Sequence, residues 1–308
     1  MFILNLMEWA VLLVGVLLGV AFFTLMERKV LGLIQFRKGP NKLGVSGLVQ
    51  PFSDALKLIS KEGLWPINSN YMPYLWAPYL SLLISLSVWL IVPGMGGILD
   101  FKLSALFFLC CLGAGVYPLM ISGWASNSKY SYFGSMRAIA QSVSYEVSLA
   151  IIILSYFYMS YSLDFKAFSE YQYKVWFIIL TLPLSLMWGL SFLAELNRSP
   201  FDFPEGESEL VSGFNTEYGG MMFGAIFLAE YSSMMLMSVV SAYMMFGAEW
   251  TSLGFNFMVM IILTLILWVR GSLPRFRYDY LMNMVWGILL PLSISFLICV
   301  AGTGAYSL

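Results

Sequence analysis

Residues 219–246 read GGMMFGAIFLAEYSSMMLMSVVSAYMMF, a long apolar run that contains one charged residue, Glu230. About 20 helical residues cross the hydrocarbon core of a bilayer, so this run predicts a transmembrane helix. The other apolar runs of the chain are also longer than barrel strands and lack alternating polarity, which favours helices over a barrel. The sequence predicts transmembrane helices at 9–26, 72–93, 103–124, 138–161, 175–194, 219–246, 255–269 and 284–304, eight in all.

The composition agrees with a membrane protein. Of the 308 residues, 60% are hydrophobic and 11% are charged, whereas soluble domains carry roughly a quarter charged residues. So few charges cannot cover a water-facing surface. We therefore expect an all-α, polytopic membrane protein whose residues 1–308 form a single transmembrane domain.

The basic residues predict how the chain is oriented, because lysine and arginine stay on the side from which segments are inserted. Most of them fall in the loops of one face, which are 27–71, 125–137, 195–218 and 270–283. Only Lys102, Lys166 and Lys174 lie on the opposite face, in shorter loops. An even number of spans also puts both termini on that opposite face. The basic face is expected to be the cytoplasm-like or matrix-like one.

The residues available for metals and redox groups are few. The chain has no histidine and three cysteines, which are Cys110, Cys111 and Cys299. Zinc sites and iron-sulfur clusters need larger, spaced sets of ligands, and the cysteines fit small core residues better. No glycine-rich nucleotide-binding motif is present either. We expect no metal site and no cofactor in this chain, so any electron carriers would belong to other chains.

The segment 48–61 predicts an amphipathic helix that lies on the membrane surface. Pro51 suits its first turn. Two interpretations stay open: a structural collar, or a doorway through which an amphiphile enters sideways from the lipid. The apolar positions are Leu48, Phe52, Ala55, Leu56 and Ile59, and the polar ones are Gln50, Ser53, Asp54, Lys57 and Lys61.

The loop 195–218 is strongly acidic and contains a single base, Arg198. Crowded carboxylates cannot all ionise at low free-energy cost, so the set is expected to exchange protons as coupled groups. Glu205 and Glu209 are expected to share a helical face. The alternatives are a solvated acidic loop or a site for a hard cation. The acids are Glu195, Asp202, Glu205, Glu207, Glu209 and Glu217.

Two further acids, Glu146 and Glu230, fall inside apolar spans. An unpaired charge there costs at least a few kcal/mol, and intramembrane acids usually have a function. Together with Glu195 they could extend the loop carboxylates into a proton path toward the bilayer centre. The alternative for each is a protonated glutamate that makes an interhelical hydrogen bond.

Five arginines on the basic face could give a cavity at the membrane edge a positive rim. Some of them could equally anchor the protein at the surface. Nucleic acid is excluded as a partner because the basic residues follow the membrane and the net charge is −1. These arginines are Arg28, Arg37, Arg137, Arg275 and Arg277.

Several motifs carry a resemblance to a known family. They are ERKVLG at 27–32, QFRKGPN at 35–41, GWASNS at 123–128, SYE at 144–146, EGESELVSGFN at 205–215, AEY at 229–231 and PRFRYD at 274–279. Together they closely resemble the NADH-ubiquinone oxidoreductase chain 1 family, which supplies a core membrane subunit of respiratory complex I. The match runs through the whole chain in order. Leu196 and Ser199 depart from the pattern, which leads us to expect threonines there.

The resemblance implies a subunit at the joint between the hydrophilic and membrane arms, with ubiquinone as the substrate. FMN and the iron-sulfur clusters would belong to partner subunits, and no residue of this chain would react directly. The residues implied to line or brace the quinone passage are Arg28, Arg37, Asp54, Arg137, Phe223, Arg275 and Arg277. Those implied to form the acidic path that couples quinone reduction to proton translocation are Glu146, Glu195, Asp202, Glu205, Glu207, Glu209, Glu217 and Glu230.

Other assignments remain open at this stage. A stand-alone proton-coupled transporter would also show intramembrane acids, although no internal repeat is apparent here. The equivalent membrane subunit of a hydrogenase-type complex would share the architecture. No cleavable signal or arginine-rich presequence is apparent. We expect the mitochondrial inner membrane, with the basic loops on the matrix side, both termini in the intermembrane space, and the other complex I subunits and lipid as partners.

Overall fold

The computed structural model describes residues 2–92, 101–204, 206, 210–247, 249 and 252–307, and the side chains of residues 7–302 within those ranges. Every regular element in this part of the chain is a helix, which confirms the predicted all-α fold. The α-helices are α1 (Phe2–Ile34), α2 (Gln50–Ser60), α3 (Tyr71–Ser87), α4 (Ser104–Ala125), α5 (Lys129–Met159), α6 (Ala167–Tyr171), α7 (Phe177–Leu180), α8 (Leu182–Glu195), α9 (Gly220–Phe246), α10 (Leu253–Ser272), α11 (Tyr278–Met284) and α12 (Leu290–Ser307).

The described residues contain seven helical segments that are long and apolar enough to cross a membrane. The predicted span at 175–194 corresponds to α7 and the shorter apolar helix α8, which meet at Thr181. The multi-pass architecture is therefore as predicted. The seven segments are Met7–Ile34, Tyr71–Ile91, Ser104–Ala125, Lys129–Met159, Gly220–Phe246, Leu253–Ser272 and Tyr278–Gly302.

Some helices extend well beyond the apolar runs that predict them. Helix α1 continues to Ile34, and α5 begins at Lys129, where the Ser128 side chain accepts a hydrogen bond from the backbone N–H of Ser131 at 3.4 Å. Such a cap satisfies a backbone donor at the start of a helix. Polar residues at helix ends lie outside the hydrocarbon, so hydropathy alone does not locate these ends.

Helices α5 and α9 are the inner helices of the bundle. More than half of the apolar span of each is buried within the protein, against a third or less for the other five. Helix α5 packs on α4, α8 and α12, and α9 packs on α3, α10 and α1. Glu146 and Glu230 lie on these two inner helices, which are the most enclosed helices of the bundle.

The helix inside the predicted surface segment, α2, lies against α1 and α9. Gly224 of α9 faces the Leu58 side chain of α2, and a β-carbon at this position would be in ordinary contact with it at 3.5 Å. Phe52, Leu56 and Ile59 of α2 stay exposed. Helix α2 therefore has one face on the bundle and an apolar face that stays largely exposed in the described chain, apart from an edge contact between Phe52 and Phe22 of α1.

Candidate functional site

A cavity of about 150 Å³ lies between α3, α4, α5, α9 and the residues that follow α8. Its volume admits several water molecules, each of which needs only about 10–15 Å³ of such space. Polar groups interrupt an otherwise apolar wall, so a buried water would find hydrogen-bond partners there. The polar lining residues are Ser81, Ser85, Ser122, Ser142, Glu195, Asn197, Glu230 and Ser233.

Two of the predicted acids line this cavity, and a third acts electrostatically on one of them. Glu195 and Glu230 line it, and the charges of Glu195 and Glu146 interact. The Glu146 carboxyl crosses from α5 to α4, where a β-carbon added at Gly113 would be 2.7 Å from Glu146 Oε1. The structure thus brings together residues that are far apart in sequence and sit on three different elements.

The environments of the two lining acids differ. Glu195 Oε2 is buried and has no hydrogen-bond partner in the described chain. An isolated carboxylate in such a place is costly, which favours its neutral form. Glu230 instead pairs with Arg198, whose Nη2 is 3.2 Å from Glu230 Oε2, and Arg198 is 7% exposed. One carboxyl is therefore placed to hold a proton and the other to hold a charge.

A glutamine fixes the end of α8 beside this cavity. Gln141 of α5 donates from Nε2 to the carbonyls of Ala194 and Phe201, at 2.8 and 2.9 Å, and is fully buried. The ring of Phe201 also packs 6.1 Å from that of Tyr145. These contacts hold Glu195 and the following loop against α5.

A second buried ion pair lies next to the first and was not predicted from the sequence. Glu27 of α1 pairs with Arg270 of α10, and the Tyr231 hydroxyl donates to Glu27 Oε2 at 2.6 Å. The sequence placed Glu27 just past the end of the first span, among loop charges. The sequence carries no signal for this pair, and only the structure shows that seven further helical residues follow Glu27 in α1.

The predicted quinone-passage residues fall into two groups. In the first, Arg28 Nη1 of α1 is 2.8 Å from Asp54 Oδ2 of α2. Phe223 of α9 packs with Phe227, ring centroids 4.4 Å apart. Arg28 and Asp54 therefore lie at the contact of α1 and α2, and Phe223 lies on α9, the third helix of that contact, where it also packs against the cluster around Tyr74 and Tyr218. Arg37 is exposed, with Nε donating to Gln35, and none of its described contacts joins this group.

The second group lies at the start of α11 and the loop after α8. Arg275 donates to the Asp202 backbone carbonyl, and its guanidinium lies 5.6 Å from the Phe203 ring centroid. Arg277 pairs with Asp279 at 3.0 Å, and Arg137 acts electrostatically on Tyr278. Arg275 thus braces the backbone of the acidic loop.

The remaining acids of the loop are only partly described. Glu205, Glu207 and Glu209, and the predicted shared face of Glu205 and Glu209, lie outside the described residues. The backbone carbonyl of Glu217 accepts a hydrogen bond from the Tyr74 hydroxyl at 2.6 Å. Tyr218 stacks on Tyr74 with ring centroids 4.4 Å apart. Burial, reinforced by Tyr74, raises the pKa of the Tyr218 phenol, which keeps it neutral.

Comparison with known proteins finds one family along nearly the whole chain. A family model described as NADH dehydrogenase matches residues 7–301. NADH-ubiquinone oxidoreductase chain 1 of Anopheles gambiae is 52% identical over 291 residues, which cover 94% of this chain and 93% of that protein. The proteins of the same name from Locusta migratoria and Sminthopsis macroura are 50% and 47% identical, over 96% of this chain and 94% of each relative.

Proposed function

The chain belongs to the NADH dehydrogenase family and is a membrane subunit of complex I, and from this premise we propose that it forms the ubiquinone entrance and an acidic path for protons. It is a multi-pass protein of the inner membrane. Two sites in the bundle support the two parts of the proposal. They are the contact of α1, α2 and α9, and the cavity beside α5.

The single observation that carries the proposal is the set of carboxyls around one intramembrane cavity. Glu146, Glu195 and Glu230 reach the cavity region from three elements. Acids inside a bilayer are costly and normally mark proton or ion pathways. A cavity with room for water supplies the remaining hydrogen-bond partners that proton transfer needs.

The contact of α1, α2 and α9 supports the entrance. The apolar side chains of α2 are exposed, while Arg28 and Asp54 place a polar pair on the same helix contact. An amphiphile with a polar head and an apolar tail matches this arrangement. Ubiquinone is such an amphiphile, and we propose that its head passes the Arg28–Asp54 pair while its tail follows α2 and Phe223.

The mechanism follows from coupling between the acids. The reduction or movement of the quinone changes the local charge, and interacting carboxyls redistribute protons in response because the affinity of each depends on the others. Glu195 holds a proton in its unpartnered site, whereas Arg198 stabilises the charge on Glu230. This chain itself binds and orients the quinone and shifts protons.

We propose that FMN and the iron-sulfur clusters belong to partner subunits and that the basic loops face the matrix. The acids that continue the path to that side are Asp202, Glu205, Glu207, Glu209 and Glu217.

Isosteric replacement of the intramembrane acids tests the proton path. Glu146→Gln and Glu230→Gln keep the shape and remove the proton site, so proton translocation per NADH oxidised is expected to fall in complexes reconstituted into liposomes. Glu170→Gln is the matched control because Glu170 is exposed in α6. Full translocation in both variants removes these acids from the path.

A photoreactive ubiquinone analogue tests the entrance. Labelled peptides from α1, α2 and α9 are expected, with competition by unlabelled ubiquinone. Labelling confined to other helices rules out this passage. Because the two experiments address different sites, the entrance and the proton path can succeed or fail separately.

A further inference from the structure

Two partly buried ion pairs in the described part of the chain are joined by one side chain. Tyr231 donates its hydroxyl hydrogen bond to Glu27, which also pairs with Arg270. The face of the same ring lies 4.8 Å from Cζ of Arg198. Arg198 in turn pairs with Glu230 at the cavity wall. A continuous series of charge contacts therefore runs from α10 through α1 and α9 to the cavity.

The burial of this series makes each contact important. Each ion pair has one buried member, since Glu27 and Arg198 are both 6% exposed. The other members are partly exposed, since the side chains of Glu230 and Arg270 are 25% and 32% exposed. A buried charge that loses its partner is strongly destabilised, whereas a fixed and paired charge is tolerated. The position of Arg198 therefore determines how well Glu230 is stabilised as an anion. Tyr231 covers one side of Arg198 through a cation–π contact, and Glu27 fixes the orientation of that ring.

The same tyrosine connects with the entrance. Phe223, Phe227 and Tyr231 are four residues apart on α9, and their rings pack in sequence at 4.4 and 6.1 Å between centroids. Phe23 of α1 also packs on Tyr231 at 5.7 Å. A change in packing beside Phe223 thus reaches Tyr231 through direct ring contacts.

Adjacent residues of α1 serve the two sites. Glu27 bonds to Tyr231, while Arg28 pairs with Asp54 of α2. Consecutive helical residues point about 100° apart, so one helix can contact both neighbours at the same level. A rotation of α1 at this level would move both contacts together.

We propose that Tyr231, held by Glu27, is a positioning residue that keeps Arg198 against Glu230 and so links the packing of the entrance to the charge at the cavity. The inference rests on the proposed function of the entrance and the acidic path. It adds a specific hydrogen bond by which the one site acts on the other.

The test removes that hydrogen bond in the assembled complex, with a short-chain ubiquinone as the substrate. Tyr231→Phe keeps the ring over Arg198 and deletes the hydroxyl. We expect kcat per assembled complex to fall about fivefold, below the full effect of a hydrogen bond to a charged group. KM for the quinone should stay within about twofold, because Tyr231 positions a cavity residue and binds no quinone.

A double-mutant cycle separates positioning from general damage. Glu27→Gln keeps the shape but removes the charge that Tyr231 bonds to, so Tyr231→Phe should then lower kcat less than about twofold further. Tyr243→Phe is the matched control, since Tyr243 is buried on the same helix and its hydroxyl has no hydrogen-bond partner in the described chain. That control should leave kcat unchanged, and its effect should combine additively with Glu27→Gln.

Two results would overturn the inference: a wild-type kcat in Tyr231→Phe, or a combined loss equal to the product of the two single losses. If Glu230→Gln is impaired while Tyr231→Phe is not, the positioning role fails and the acidic path stands. If Glu146→Gln and Glu230→Gln both pump fully, the acidic-path part of the proposed function fails, and the entrance is judged by the labelling experiment.

Discussion

The entrance and the cavity use the same pair chemistry in different surroundings. At the entrance, the side chains of Arg28 and Asp54 are 51% and 36% exposed. At the cavity, those of Arg198 and Glu230 are 7% and 25% exposed. Exposed pairs contribute little because water and salt screen them. A buried pair is weak evidence of stability, but removal of one partner leaves an uncompensated charge.

The difference indicates what each pair can do. A weak, exposed pair can open and close as a ligand passes, at little cost to the fold. A pair with one buried member opens at a larger cost in free energy, so we expect a change beside it to be met by proton movement instead. Each prediction below would widen or remove this contrast.

The largest effect is expected from the loss of Arg198. Arg198→Met removes this cation from the partly buried Glu230, which should destabilise the chain by up to about 3 kcal/mol, the lower end of the cost for a fully buried pair. The measurement is the melting temperature and yield of the assembled complex. Addition of Glu230→Gln should recover most of the loss, because the second change removes the stranded charge. Normal assembly of Arg198→Met alone would show that the inner pair is no more constrained than the outer one.

The next effect concerns two glutamines, one in each region. Gln141→Leu leaves the carbonyls of Ala194 and Phe201 without their donor, at a cost of about 1–3 kcal/mol. Gln50→Leu removes only a bond to the partly exposed Asp54 and should cost less. Hydrogen exchange of peptides spanning 192–204 should speed up in the first variant alone. Equal exchange in both variants would contradict the anchoring role of Gln141.

The sequence predicted the fold because the membrane leaves so few alternatives. Apolar runs long enough to cross a bilayer must be helical, and they located most of the helices. The ends of α1 and α5 could not be placed in this way, because polar residues outside the lipid carry no hydropathy signal. The break at Thr181 has a local cause that hydropathy also misses, because Pro183 lies in the first turn of α8, a position that proline suits.

The candidate site was predicted only in part, because a sequence shows an acid in apolar surroundings but does not show its partners. Glu146 and Glu230 stand out as acids inside apolar runs, whatever their partners. Glu27 does not stand out, because its partners Tyr231 and Arg270 lie 204 and 243 residues away along the chain. Contacts at that separation are not visible in a single sequence. The pattern of intramembrane acids also fits a stand-alone transporter. Family membership separates that alternative from the complex I subunit.

A smaller effect is expected where the Glu146 carboxyl is crowded without loss of a charge. Gly113→Ala places a methyl group 2.7 Å from Glu146 Oε1, so the carboxyl must move, at a cost of about 1 kcal/mol. Gly15→Ala is the control, since nothing lies within 4 Å of that position, and it should stabilise α1 by about 0.5–1 kcal/mol. Proton translocation should fall in the first variant and not in the second. An unchanged proton ratio in Gly113→Ala would mean that the position of the Glu146 carboxyl is unimportant.

The smallest effect on stability is expected at the entrance itself. Asp54→Asn breaks the pair with Arg28, yet both groups are well exposed, so the loss should stay below about 1 kcal/mol and shrink further at high salt. KM for a short-chain ubiquinone should rise while the proton ratio stays constant, because the change affects entry and leaves the inner acids paired. Asp279→Asn, which breaks the still more exposed pair with Arg277, is the control for loss of a surface charge. A destabilisation as large as that of Arg198→Met would mean that burial does not distinguish the two pairs, and the assignment of a passive entrance and a charge-storing cavity would have to be reversed or abandoned.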